Sequence, residues 1–175
     1  KPYMELAEKL GQFAAKLWFV GEPKQFFSIQ FEYYGNLTGR DTRIVTQAAL
    51  AGLISAFSSS GPVGLVNAPI EAKRRGFQVS ELSSNDPVNY SNLIALEISG
   101  KNGEKHRLEG ALSDGARLQI VKIDGYPIVI EPSKIMLVFA NNDEVGVIRR
   151  VAEVLEDLNI NIEKFALSDR NRDGT

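Results

Sequence analysis

Four short apolar runs between Asn92 and Ile130, separated by two tight-turn signals, constrain this chain most. Asn92–Ser99 and His106–Leu112 flank Gly100-Lys101-Asn102-Gly103, while Leu118–Ile123 and Tyr126–Ile130 flank Asp124-Gly125. A two-residue hairpin needs positive φ at its central residues, and Asp-Gly supplies this at low steric cost. Strands joined in this way pair antiparallel, so this stretch predicts a meandering sheet. Lys24 to Tyr34 adds another strand, because Phe27, Ile29, Phe31 and Tyr33 alternate with Ser28, Gln30, Glu32 and Tyr34.

From Phe77 to the linker the reading is mostly strand, and helical periodicity marks segments before it. Tyr3, Leu6, Leu10, Phe13, Ala14 and Leu17 recur at three- and four-residue spacing and predict a helix over Tyr3–Trp18, which Gly21-Glu22-Pro23 ends. Asp41 or Thr42 can cap a second helix that buries Ile44, Val45, Ala48, Leu53, Ile54 and Phe57. A short third helix starts at Pro69 and closes at Gly76. After Glu131-Pro132-Ser133, which reads as a linker, the pattern changes to a strand over Ile135–Ala140, a helix over Val145–Leu158 and a strand over Ile160–Ser168. The expected fold is α+β: a mixed domain over 1–132, then the start of a βαβ unit over 133–175.

Composition excludes several classes of function. With 20 Lys and Arg against 22 Asp and Glu, the formal charge of −2 lacks the basic excess of a nucleic-acid binder. The absence of cysteine removes disulfides, thiolate metal sites and a thiol nucleophile, and it suits a reducing cytosol. No apolar run reaches the roughly 20 residues of a membrane span. The opening Lys1-Pro2-Tyr3 without Met and the closing Arg172-Asp173-Gly174-Thr175 suggest a piece of a longer protein.

Few residues suggest chemistry. His106, the single histidine, has no ligand spacing around it and reads as a rim residue. Gly61-Pro62-Val63-Gly64 lacks the spacing of a dinucleotide loop. Asp169 to Gly174 matches half of a calcium loop, but a strand rather than a helix precedes it, so a polar hairpin tip is the simpler account and no metal is expected. Lys73-Arg74-Arg75 reads mainly as a solvated helix face. Asn141-Asn142-Asp143-Glu144-Val145-Gly146 differs, because it joins a strand end to a helix start. Free first-turn amides there suit a carboxylate and Asp143 suits an ammonium, a pairing fit for a zwitterion. Asn161 lies near the same spot or on a partner chain. On pattern alone, a capped turn with solvated asparagines is the simpler account.

The segment from Ile135 through Asn142-Asp143-Glu144-Val145-Gly146 to Ile160-Asn161-Ile162 resembles the first half of an ACT domain. Val145 stands where that family usually has proline. Pro2 to Gly11, Leu65 to Ala72 with its Val66-Asn67-Ala68-Pro69 element, Leu108 to Leu112 and Ile123-Asp124-Gly125-Tyr126 resemble the C-terminal region of long-form D-3-phosphoglycerate dehydrogenases. In these an intervening, or allosteric substrate-binding, domain precedes the ACT domain. The resemblance implies an intervening domain over 1–132, with residues 1–20 also assignable to the last helix of a catalytic domain, and a half ACT domain over 133–175. It implies an NAD-dependent cytoplasmic oxidoreductase whose catalytic residues lie outside this chain. No catalytic residue and no cofactor are expected here. It further implies homo-oligomers joined through both domains, with L-serine bound by Asn141, Asp143 and Asn161. An anion site of some relatives maps loosely onto Arg117 and Lys122. Two other readings stay open: the regulatory region of an L-serine dehydratase, and a scaffold module with no effector.

Overall fold

The computed structural model describes residues 1–19, 26–59, 61–86, 88–113, 116–140 and 144–168. They divide into two compact units, Lys1–Pro132 together with Ser168, and Ser133–Leu167. Among the described residues, no helix is long and apolar enough to cross a membrane.

The first unit begins with α1 (Pro2–Trp18), whose opening proline loses nothing at a position where the amide is unbonded in any case. Then come β1 (Phe26–Gly35), α2 (Arg43–Ser55), α3 (Ala68–Arg74) and β2 (Gln78–Ser84). The meander follows as β3 (Asn92–Gly100), β4 (Lys105–Ser113), β5 (Arg117–Ile123) and β6 (Tyr126–Ile130). One six-stranded sheet has the order β2-β1-β3-β4-β5-β6. β2 runs parallel to β1 after a crossover through α2 and α3, and every other neighbour is antiparallel. The fold is α+β.

The helices cover one sheet face. Leu6 and Leu10 of α1, Leu50, Leu53 and Ile54 of α2, and Ile29, Phe31, Tyr33, Ile94, Leu96 and Ile98 of the sheet are all essentially inaccessible to solvent. α1 is thus part of this unit's own core. Two glycines let α1 and α2 approach: a Cβ on Gly11 falls 2.0 Å from the Ala49 carbonyl oxygen, and one on Gly52 falls 2.1 Å from that of Glu8. Gly110, at a bulge in β4, makes room beneath Leu10 in the same way. The Tyr33 hydroxyl, buried by this packing, shares a 2.6 Å hydrogen bond with Thr46 Oγ1.

Three details differ from the sequence reading. Phe26 rather than Phe27 enters the core, because the β1–β3 register shifts between Phe26 and Ser28. Ile44 is 49% exposed, since it sits in the first turn of α2, ahead of the crossing at Ala49 to Leu53. Thr42 occupies the N-cap position of α2, but its hydroxyl bonds Glu81 instead of the helix. Asp41 Oδ1 accepts from the Arg43 amide in its place.

In the second unit, α4 (Val147–Asp157) forms where its apolar spacing predicts. It closes in a Schellman motif: Ile160 N–H bonds the Leu155 carbonyl, Asn159 N–H bonds that of Glu156, and Asn159 takes φ of 55°. The strands expected over Ile135–Ala140 and Ile160–Ser168 are not in any ladder. A split βαβ arrangement places another strand between these two, and none of the described residues supplies it. Leu137, Phe139, Ile162 and Phe165 are accordingly exposed.

Candidate functional site

The expected effector residues straddle α4. Asn141 and Asp143 lie outside the described residues. Asn161 is exposed, two residues beyond the left-handed Asn159 that ends the helix. At about 1.5 Å of rise per residue, α4 separates its two ends by roughly 16 Å. Glu144 to Gly146 and Asn161 therefore lie at opposite ends of one helix. Gly146 takes the N-cap position of α4 with φ of 85°, and among the described residues no side chain caps that end.

Arg117 and Lys122 both belong to β5 but do not converge. Five residues of strand rise place them roughly 16 Å apart, too far to hold one small anion. Arg117 Nε lies 3.7 Å from Glu131 Oε1, and Lys122 sits opposite Glu109 in the ladder. The calcium-like run from Asp169 lies outside the described residues. Among the described residues no group of His, Asp or Glu is arranged to hold a metal ion.

The sheet face turned away from the helices carries a charged cluster that sequence reasoning missed. Strand alternation puts Gln30, Glu32 and Tyr34 of β1 on this face, and the β3–β4 register sets Arg107 opposite Glu97. Arg107 Nη2 donates to Glu32 Oε2 at 2.7 Å, and its Nε donates to Glu109 Oε1 at 2.8 Å. Its Nη1 lies 3.8 Å from Glu97, which also pairs with Lys105 at 3.2 Å. Tyr34 O–H and Gln30 Nε2 donate to Glu32 as well. The hydrogen bond from Arg107 leads these influences, and against the opposing cost of burial they hold the Glu32 carboxyl down at about 2. Burial opposes the charge on Arg107, but Glu32 and Glu109 more than reverse that effect and raise its pKa. The arrangement is mutually saturated. It fixes strand register and leaves no free base or nucleophile. The alternation placed Glu32 and Tyr34 on the polar face, but only the pairing of β1, β3 and β4 reveals their shared partner.

His106 is more enclosed than a rim residue, with a side chain 18% exposed. Its Nδ1 lies 2.9 Å from Asp124 Oδ2 and its Nε2 2.9 Å from Glu104 Oε1. Its ring stacks on Trp18 at a centroid distance of 4.9 Å. Asp124 Oδ1 also accepts the Arg107 amide at 2.8 Å, so the turn residue binds its neighbouring strand. Among the described residues the hydrogen-bond partners of the His106 ring are these two carboxylates, of Asp124 and Glu104, and its surroundings are those of a packing group. Arg74 pairs with Glu71 at 2.7 Å, Arg75 lies over the Phe57 ring with its Nε 3.9 Å from Glu71, and Lys73 lines a cleft with α2 and β2.

Comparison with known proteins adds a family. Residues 1–124 match the model of the D-3-phosphoglycerate dehydrogenase intervening domain. The chain is similar to the D-3-phosphoglycerate dehydrogenase of Synechocystis sp., with 32% identity over 93% of this chain and 28% of that protein. It is similar to that of Methanocaldococcus jannaschii, with 32% identity over 99% of this chain and 32% of the relative. The Bacillus subtilis enzyme of the same name is 30% identical over 99% of this chain and 32% of its own length. The chain spans about a third of the length of these curated relatives.

Proposed function

We propose, on the premise that this chain belongs to the family of the D-3-phosphoglycerate dehydrogenase intervening domain, that it forms the regulatory and assembly region of an enzyme with that activity. Such an enzyme oxidises 3-phosphoglycerate to 3-phosphohydroxypyruvate with NAD, the entry step to L-serine. The observation that carries the reading is the family match over 1–124, together with relatives of that name aligned through the second unit. This chain has no Gly-x-Gly-x-x-Gly element, so its own residues do not fit NAD, and hydride transfer belongs to another part of the protein.

In this reading, residues 133–175 begin an ACT domain. L-serine sits between two such domains, with Asn141 and Asp143 from one copy and Asn161 from the other. The proposed pairing of two copies side by side brings residues that precede α4 in one chain to Asn161, which follows α4 in the other. Serine then shifts the enzyme only to the extent that it binds one arrangement of the pair more tightly.

The test uses the full-length protein. NAD reduction dependent on 3-phosphoglycerate is expected, with inhibition by L-serine that Asn161→Ala weakens by about tenfold, the loss of one charge-assisted hydrogen bond. Release of ammonia from L-serine would replace this reading with the dehydratase. Dehydrogenase activity with no heat of serine binding and no inhibition would leave the region a scaffold.

A further inference from the structure

A cleft of about 340 Å³ lies at the sheet edge where α2, α3 and β2 meet. That volume is at the lower end of the range typical of small-molecule pockets. Leu50 of α2, Pro69 of α3, and Phe77 with Val79 at the start of β2 give it apolar walls. Charges of both signs line the same cleft: Glu81 on β2, Lys73 on α3 and Arg43 on α2.

These charges are not equally available. Arg43 is clamped to Asp41, with Nε 2.9 Å from Oδ1 and Nη2 2.6 Å from Oδ2, so that pair is neutral overall. Glu81 is held in place by the Thr42 hydroxyl, which donates to Oε2 at 2.8 Å. Among the described residues Lys73 makes no ion pair, although its neighbours Arg74 and Arg75 both turn to Glu71. One carboxylate and one open ammonium therefore share a cleft with an apolar wall.

We infer that this cleft binds a free α-amino acid with an apolar side chain, its ammonium toward Glu81, its carboxylate toward Lys73, and its side chain against Phe77, Val79 and Leu50. A phosphorylated ligand fits poorly, since a dianion meets one open lysine and the repulsion of Glu81. A purely apolar ligand would desolvate both charges without replacing their hydrogen bonds. A zwitterion satisfies both at once. The inference is independent of the serine reading, whose residues lie on other elements.

The experiment is an amide NMR titration of the 175-residue chain with L-leucine, 4-methylpentanoate, isopentylamine and L-serine. L-Leucine is expected to give saturable shifts at Gln47, Lys73, Phe77 and Val79. The two analogues, each missing one charged group, are expected to bind about tenfold more weakly, as is L-serine, which lacks the apolar body. Lys73→Gln and Glu81→Gln should each weaken leucine about tenfold while the remaining spectrum is unchanged. Gln at position 81 keeps an acceptor for Thr42, so the loss reports on the charge. Absence of saturable leucine shifts in the cleft overturns the inference. So does 4-methylpentanoate binding as tightly as leucine, because Glu81 would then have no role.

Discussion

Arg107 is the point at which three strands of the open sheet face are tied together, and its partners set a clear acid response. Glu32 titrates at about 2 in the fold against an ordinary value of 4.5. Between those values the unfolded chain binds the proton more readily than the folded one, so stability rises with pH across that window. The contribution is complete above the ordinary value and is lost as pH falls through the folded one. After allowing for solvent screening it is on the order of 1–2 kcal/mol. Urea midpoints measured from neutral pH down to about pH 2 should show this loss, and Glu32→Gln should flatten it while lowering neutral stability by about 1–2 kcal/mol. An unchanged acid profile in that variant would show that other carboxylates set the response. Asp124→Ala should cost about 1–2 kcal/mol, since the Asp124 carboxylate accepts the Arg107 amide and approaches the His106 ring. Chemical denaturation of the variant measures that loss.

Among elements, the α1–α2 pair depends most sharply on single atoms. A methyl on Gly11 or Gly52 meets backbone oxygen, which cannot rotate aside as a side chain does. Gly11→Ala and Gly52→Ala should therefore each destabilise by about 1–3 kcal/mol, through forced separation of the helices. Gly64→Ala, where an added Cβ meets nothing within 4 Å, serves as the control and should change the thermal midpoint little. The meander needs less tertiary help. Asp124 and Gly125 take φ of 48° and 84°, the mirror-image turn that matches the twist of the flanking strands. Hence β6 was legible from sequence to the residue and β5 to within one residue at its start, whereas the segments flanking α4 were legible as strands but pair with none of the described residues. Each has the composition of a strand, but a ladder also requires a neighbour.

At the scale of the whole molecule, the two units differ in how well their apolar residues are covered. β3 lies inside the sheet with Ile94, Ala95, Leu96 and Ile98 nearly inaccessible, while Ile148 and Val154 of α4 and Leu158 at its C-cap are all substantially exposed. Local opening costs least where few apolar contacts are lost. Hydrogen exchange of this chain should accordingly show β3 amides protected to the level of global unfolding and α4 amides exchanging far faster. Comparable protection in both would mean that α4 is covered in solution, and the ACT pairing proposed above supplies such a cover. The loop from Asn141 to Gly146 was legible as a place suited to a zwitterion, but L-serine as its ligand and Asn161 as its companion came only through family resemblance, because a loop before a helix and an asparagine after it have no local signal of shared use. The Arg107 cluster and the cleft beside β2 could not be read at all. The residues of the cluster come from positions as far apart as Glu32 and Glu109, and those of the cleft from Arg43 to Glu81.

The sequence by itself determined which segments are helices and which are strands over residues 1–132, where the hairpins turn, and most of the apolar faces. Those properties depend on periodicity of side chains and on the φ preference of Asp-Gly, and both act between near neighbours. Only the tertiary structure decided the parallel pairing of β1 with β2, the choice of Phe26 over Phe27 for the core and the helix crossing at Gly11 and Gly52. The same holds for the convergence of Glu32, Glu97 and Glu109 on Arg107. Each of these sets in contact residues distant along the chain, and their contact energy is gained only after the sheet has closed the loops between them.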